Sequence, residues 1–229
     1  MAAFTLQEVE KATGGRLLYP VVDDAVFSQV ETDTRAITAG ALFVALRGET
    51  FDGHDYVLQA EKQGASGAIV AEDRPEYRKG GFAVIIVPDT RKAYQDLARF
   101  HRRRFSIPVI AVTGSVGKTS TRSMIAAVLS QKYRVLQTEK NFNNEIGLPK
   151  TLLQLTPEHE ACVVEMGMRG LGQIAELAAI AEPDIGVVTN VGKSHIELLG
   201  SQENIARAKS ELVQALSADG IAVLNQDDS

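Results

Sequence analysis

A single cysteine, Cys162, occurs in 229 residues, so no disulfide can form within the chain. Its place in the apolar run 161–164 reads as a small buried hydrophobe. A basic surplus is also missing: 24 Lys and Arg stand against 29 Asp and Glu, a formal charge of −5. That balance gives no electrostatic reason to expect a nucleic-acid partner. The only basic run, Arg102-Arg103-Arg104 beside His101, falls where a helix should end and reads as a solvated terminus complementing the helix dipole. No apolar stretch approaches the roughly 18 residues that span a bilayer, and no signal-peptide pattern is present. The expectation is a cytoplasmic chain with no membrane partner. Internal repeats and low-complexity segments are absent too, and the length suits one or two domains.

What is present is concentrated in Val109-Ile-Ala-Val-Thr-Gly-Ser-Val-Gly-Lys-Thr-Ser-Thr121. An apolar, β-branched strand runs into a glycine-containing loop and then a helix with Met124, Ile125, Val128 and Leu129 at helical spacing. Gly114 and Gly117 let the backbone turn its N–H groups inward, Lys118 supplies a point charge, and Thr119 offers a hydroxyl to a divalent cation. Val112 holds the place of the first glycine of the general G-x-x-x-x-G-K-[ST] pattern. Gly114, Ser115, Val116, Gly117, Lys118, Thr119 and Ser120 are the expected phosphate contacts.

Around this loop the chain divides by texture. Residues 1–88 mix short apolar runs with helical stretches near 5–12 and 54–63 and read as a small α/β domain. Ala93, Leu97 and Phe100 suggest a linker helix within 89–107. From 108 to 229 strands and helices alternate: strands at 109–113, 133–138, 161–166, 185–190 and 221–225, helices at 118–130, 148–155, 172–181 and 202–217. That alternation predicts a doubly wound, mainly parallel sheet of the P-loop ATPase type. The runs 161–164 and 185–188 are apolar throughout, as in strands covered on both faces. The chain ends just past the last of these strands, so the expectation is an incomplete second domain and an absent C-terminal one.

Four polar clusters follow four of the strands, and in open parallel sheets that carboxyl edge is where ligands bind. Glu165 comes directly off a buried strand; it is either a cation ligand beside Thr119 or a strand-end acid paired with Lys or Arg. His195, after the turn 190–192, fits a metal ligand or general base, and equally a surface or capping role. Lys209 sits in a helix whose charges read as a solvated face. Asn141, Asn143 and Asn144 suit either a polar ligand or plain loop geometry. Early in the chain, Thr32-Asp33-Thr34-Arg35 joins hydroxyls to a guanidinium able to grip phosphate, and Asp52-Gly53-His54 forms a turn.

With these motifs placed, the chain resembles the Mur ligases of peptidoglycan synthesis over essentially its whole length. The likeness rests on 32–35, 45–48 with 52–54, 113–119, 141–149, 165–167, 189–192 with His195, Ala208-Lys209 and 222–225. The phosphate loop is shared with folylpolyglutamate synthases, whereas Asn141-Phe-Asn-Asn-Glu-Ile-Gly147 is the discriminating piece. The resemblance implies an ATP-dependent enzyme that joins D-alanyl-D-alanine to UDP-N-acetylmuramoyl-tripeptide through an acyl phosphate, working as a monomer. It further implies Mg2+ on Thr119 and Glu165, a second ion on Glu165, His195 and a carbamylated Lys209, and Lys118, Glu165, His195 and Lys209 as the catalytic set. Thr34 and Arg35 would hold the uridine diphosphate end, Asn143 and Asn144 the muramoyl or peptide portion. A sibling ligase adding one amino acid, a P-loop kinase, and a binding fragment without turnover are the competing readings; the fragment alone is expected to be inactive.

Overall fold

The computed structural model describes residues 2–19, 25–79, 82–192, 194 and 196–228. These form two compact units, residues 1–100 and 101–229.

In the first unit β1 (Phe4–Thr5) leads into α1 (Leu6–Thr13), whose start is a reciprocal cap: the Thr5 hydroxyl accepts from Glu8 N and the Glu8 carboxylate accepts from Thr5 N. Then come β2 (Arg16–Leu17), β3 (Val26–Phe27), β4 (Gln29–Glu31), β5 (Ala41–Val44), α2 (Val57–Lys62), β6 (Gly67–Val70), β7 (Ala83–Ile86) and α3 (Thr90–Arg102). Five strands make one sheet in the order β2-β7-β6-β5-β4, parallel except where β2 joins β7. Every residue of β5 and β6 is buried, as their apolar sequences require. Helix α3 buries Ala93, Tyr94, Leu97 and Ala98, and the Thr90 hydroxyl donates to Ala45 O in the first unit.

The second unit contains β8 (Val109–Thr113), α4 (Lys118–Leu129), β9 (Val135–Gln137), α5 (Gly147–Leu152), β10 (Ala161–Glu165), α6 (Gln173–Ala181), β11 (Ile185–Val188), α7 (Ile196–Leu199), α8 (Gln202–Gln214) and β12 (Ile221–Leu224). Its five strands are all parallel, in the order β12-β11-β8-β10-β9. The chain steps from β10 to β11 across β8, which makes the carboxyl end of β8 the switch point where such sheets bind ligands. The doubly wound expectation is met.

Two packing details differ from expectation. Strand β10 is buried throughout, but Ile185 and Val187 of β11 are only half-buried. A methyl at Gly186 would touch Leu212 of α8, so Ile185 and Val187 point to the other face. There, with Pro108, Ile125 and Leu129, they line an apolar groove of about 750 Å3. Met124 and Val128 of α4 are 69% and 71% exposed. Helical spacing identified the helix, but Ile125 and Leu129 are the residues that pack.

Arg102 also departs from the solvated-terminus reading. It is buried and donates to the carbonyls of Ala181, Phe105 and Glu182, which caps the end of α6 and the turn after α3. Arg103 keeps the exposed role and pairs with Glu182. A run of three arginines does not say which one faces inward.

His101 is buried with Nε2 2.9 Å from Leu155 O. Burial pushes its imidazole down to about 4, against the opposing contact with the Leu155 carbonyl. The unfolded chain therefore takes up this proton first on acidification. The stability His101 supports is complete above pH ~6.5 and is lost as the pH falls toward 4, by up to about 3 kcal/mol. Urea unfolding of the wild type and His101→Gln across that window should show a shallower pH slope in the variant; equal slopes would refute the assignment.

Candidate functional site at the mouth of the parallel sheet

Strand β8 delivers the chain at Thr113 into a loop whose two glycines take backbone angles closed to most residues, φ +149° at Gly114 and +82° at Gly117. Gly117 caps α4, so the N–H groups of Lys118, Thr119 and Ser120 form its unsatisfied first turn. Lys118 folds back, its Nζ donating to Gly114 O at 2.9 Å and Ser115 O at 3.4 Å. The loop after β11 braces this cradle. Val116 N donates to Asn190 Oδ1 at 3.1 Å, and both Asn190 Nδ2 and the Thr189 hydroxyl donate to Val116 O. Gly192 N donates to Ser115 Oγ at 2.9 Å.

Opposite stands Glu165, the last residue of β10, 2% exposed and in register with Val112 of β8. Its Oε2 accepts from the exposed Thr119 hydroxyl at 2.9 Å and its Oε1 from Asn143 Nδ2 at 2.8 Å. Its backbone N donates to the buried Thr138 hydroxyl at 3.0 Å. Arg122 Nε lies 3.9 Å from Oε2. Glu165 is thus a buried carboxylate at the phosphate loop with an arginine counter-charge nearby.

Lys209 is 2% exposed rather than solvated, on the stripe of α8 that buries Ile205, Ala208 and Leu212. Burial pushes its ammonium down to about 8, and the positive charge of Lys118 adds to the shift. The amine thus belongs to the electrostatic neighbourhood of the phosphate loop. His195 lies outside the described residues.

The asparagines separate. Asn143 holds Glu165, and its carbonyl accepts from Gly167 N at 2.8 Å. Asn144 Oδ1 instead caps α5, accepting from Gly147 N at 2.9 Å and Ile146 N at 3.3 Å. Thr138 and Arg122 were missed by sequence reasoning. Arg122 had a legible signal, since it lies three positions after Thr119 and so on the same helix face.

In the first unit, Thr34 and Arg35 line a cavity of about 500 Å3 with Thr32, Phe43, Phe51, Tyr56 and Gln59. Asp33 accepts from Arg35 N and Arg35 Nε and holds the guanidinium at 2.6 Å, pairing it in the open. Asp52-Gly53-His54 is a locked turn: Asp52 Oδ1 accepts from His54 N and sits 2.5 Å from Nδ1, while Ala71 N donates to Nε2. Burial pushes the Asp52 carboxyl up, but His54 and Arg47 outweigh it and hold it at about 2.

Residues 112–229 match the model of the Mur ligase middle domain and residues 26–102 that of the Mur ligase family catalytic domain. The chain belongs to the Mur ligase family. A Synechocystis relative named UDP-N-acetylmuramoyl-tripeptide–D-alanyl-D-alanine ligase is 52% identical over 90% of this chain and 45% of its own length. The crystal structure of MurF from Acinetobacter baumannii superposes with a TM-score of 0.92 at 33% identity, covering all of this chain and 50% of that one. MurF from Thermotoga maritima, solved in complex with ADP, gives 0.81 at 34% identity over 87% of this chain and 46% of that one. The chain thus spans about half the length of the Mur ligases it matches. Among its described residues no helix is long and apolar enough to cross a membrane.

Proposed function

We propose that this chain supplies the substrate-nucleotide and phosphate-transfer modules of an ATP-dependent ligase. The reaction joins D-alanyl-D-alanine to UDP-N-acetylmuramoyl-tripeptide, in the cytoplasm and with a monomeric enzyme. The observation that carries the reading is the Thr119 hydroxyl on the buried Glu165 carboxylate at the opening of the phosphate loop; the named relatives supply the substrates.

In the reaction the tripeptide's terminal carboxylate attacks the γ-phosphorus of ATP, giving an acyl phosphate and ADP. The amine of D-alanyl-D-alanine then attacks the acyl carbon, and the tetrahedral intermediate expels phosphate as the amide forms. The first-turn N–H groups of α4 cradle the β- and γ-phosphates, and Lys118 leaves its carbonyl partners to neutralise them. Among the described residues no three His, Cys, Asp or Glu side chains cluster as a metal site. Two hard oxygens, from Thr119 and Glu165, nonetheless fit Mg2+, which takes few protein ligands and completes its shell with phosphate and water. When bound there, the ion neutralises charge on the transferring phosphoryl group. Asn143 holds the carboxylate toward the loop. Lys209, depressed to about 8, has a neutral fraction whose nitrogen can add to carbon dioxide, forming a carbamate and releasing a proton. With Glu165 and His195 that group would hold a second ion. Thr34 and Arg35 would grip the uridine diphosphate, Arg35 exchanging Asp33 for phosphate. Asn143 and Asn144 would help place the muramoyl or peptide portion.

Calorimetric titration of the chain with ADP should show affinity that depends on Mg2+, and UDP-N-acetylmuramoyl-tripeptide should bind independently of it. Glu165→Gln should erase most of the Mg2+ dependence, a loss of roughly a hundredfold in metal affinity. Metal-independent ADP binding, unchanged in Glu165→Gln, would contradict the proposal.

A further inference from the structure

Arg122 is the anomaly of the second unit. It is 6% exposed, and its Nε is the buried side-chain polar atom, among the described residues, left without a hydrogen-bond partner. A buried guanidinium N–H without a partner is costly, and such an atom in a folded protein calls for a reason. Its Nη1 is anchored on Gln137 Oε1 at 2.9 Å, at the end of β9, while Nε faces Glu165 Oε2 at 3.9 Å. Glu165 itself is gripped by the loop after β9 through Asn143 and by the first turn of α4 through Thr119. A carboxylate offers about four lone-pair directions, so Oε2 has room for the Nε–H as well.

We propose that Arg122 is a positioning residue that backs the Glu165 carboxylate, fixing its rotamer toward the phosphate loop so that it can serve a divalent cation there. Gln137 sets the distance. The guanidinium is held by one nitrogen and stands just short of contact with the other, so Glu165 is restrained from three directions while an acceptor site stays open for a cation. The cation's presence rests on the proposed function; the restraint on Glu165 does not.

The test uses Arg122→Met, Arg122→Lys and Gln137→Leu in the whole chain, with two readouts. Mn2+ binding in the presence of ADP, followed by electron paramagnetic resonance, should weaken about tenfold in Arg122→Met and about threefold in Gln137→Leu. Arg122→Lys should recover to within about threefold of wild type, because the charge returns without the fork. ADP binding without metal should change less than twofold in all three. Crystal structures should show the Glu165 carboxylate moved away from Asn143 or Thr119 in Arg122→Met. Unchanged or tighter Mn2+ binding with Glu165 in place would overturn the proposal, as would a loss of thermal stability alone. If the wild type binds no Mn2+ with ADP, the proposed function fails, and the position of Glu165 in the variants decides this inference. Should Arg122→Met not fold, Gln137→Leu carries both readouts.

Discussion

Gly114→Ala is expected to abolish phosphate binding and to destabilise the second unit by more than about 3 kcal/mol, adding overpacking to backbone strain. At Gly114 the backbone sits at φ +149°, and a Cβ there would lie 1.9 Å from the Thr189 hydroxyl and 3.2 Å from Thr189 N. The loop after β11 braces the phosphate loop so closely that no side chain fits between them. Gly117 provides the internal contrast. It is also left-handed, at φ +82°, but a Cβ there meets nothing within 4 Å. Gly117→Ala should therefore cost only the conformational penalty, about 1–2 kcal/mol. Thermal melts that show equal losses for the two variants would contradict this difference. Thr189→Ala should rescue Gly114→Ala in part, since the hydroxyl is removed while the Thr189 backbone stays.

Lys118→Met is expected to weaken Mg·ADP binding about a hundredfold, near 3 kcal/mol, with little change in folding stability. In the described structure the ammonium is itself partly open to solvent and rests on the Gly114 and Ser115 carbonyls, so its removal costs the fold those two loop contacts, about 1 kcal/mol. Lys118→Arg would not preserve the function. The planar guanidinium fork is too broad for a loop that closes on a point charge, and the affinity of that variant should stay within about threefold of Lys118→Met. Calorimetry with folded variants separates this from Gly114→Ala, where binding and stability fall together.

The phosphate loop and the parallel order of the second unit could be read from residues 109–121 and the strand-helix alternation because both obey local rules: glycine where the turn demands it, apolar strands where the sheet is covered. Glu165 was legible by the same logic, as a charge at the carboxyl end of a buried strand. Its partners were harder to read. Asn143 and Asn144 are chemically identical neighbours, and only the fold assigns one to the carboxylate and the other to the cap of α5. Lys209 was hidden by composition, although its position four after Ile205 and three before Leu212 places it on the apolar stripe of α8. Arg102 departs from the solvated reading because burial is decided residue by residue, and three adjacent arginines carry no local signal of which one turns inward. The open face of β11 follows from long-range packing that no local pattern encodes.

The sharpest check of the shared phosphate and cation site is a crystal structure of this chain soaked with Mg2+ and ADP. The β-phosphate should lie within the 114–119 loop and a cation about 2.1 Å from Thr119 Oγ1, on the side of Glu165. A nucleotide seated elsewhere, or a cation held without either oxygen, would contradict that assignment.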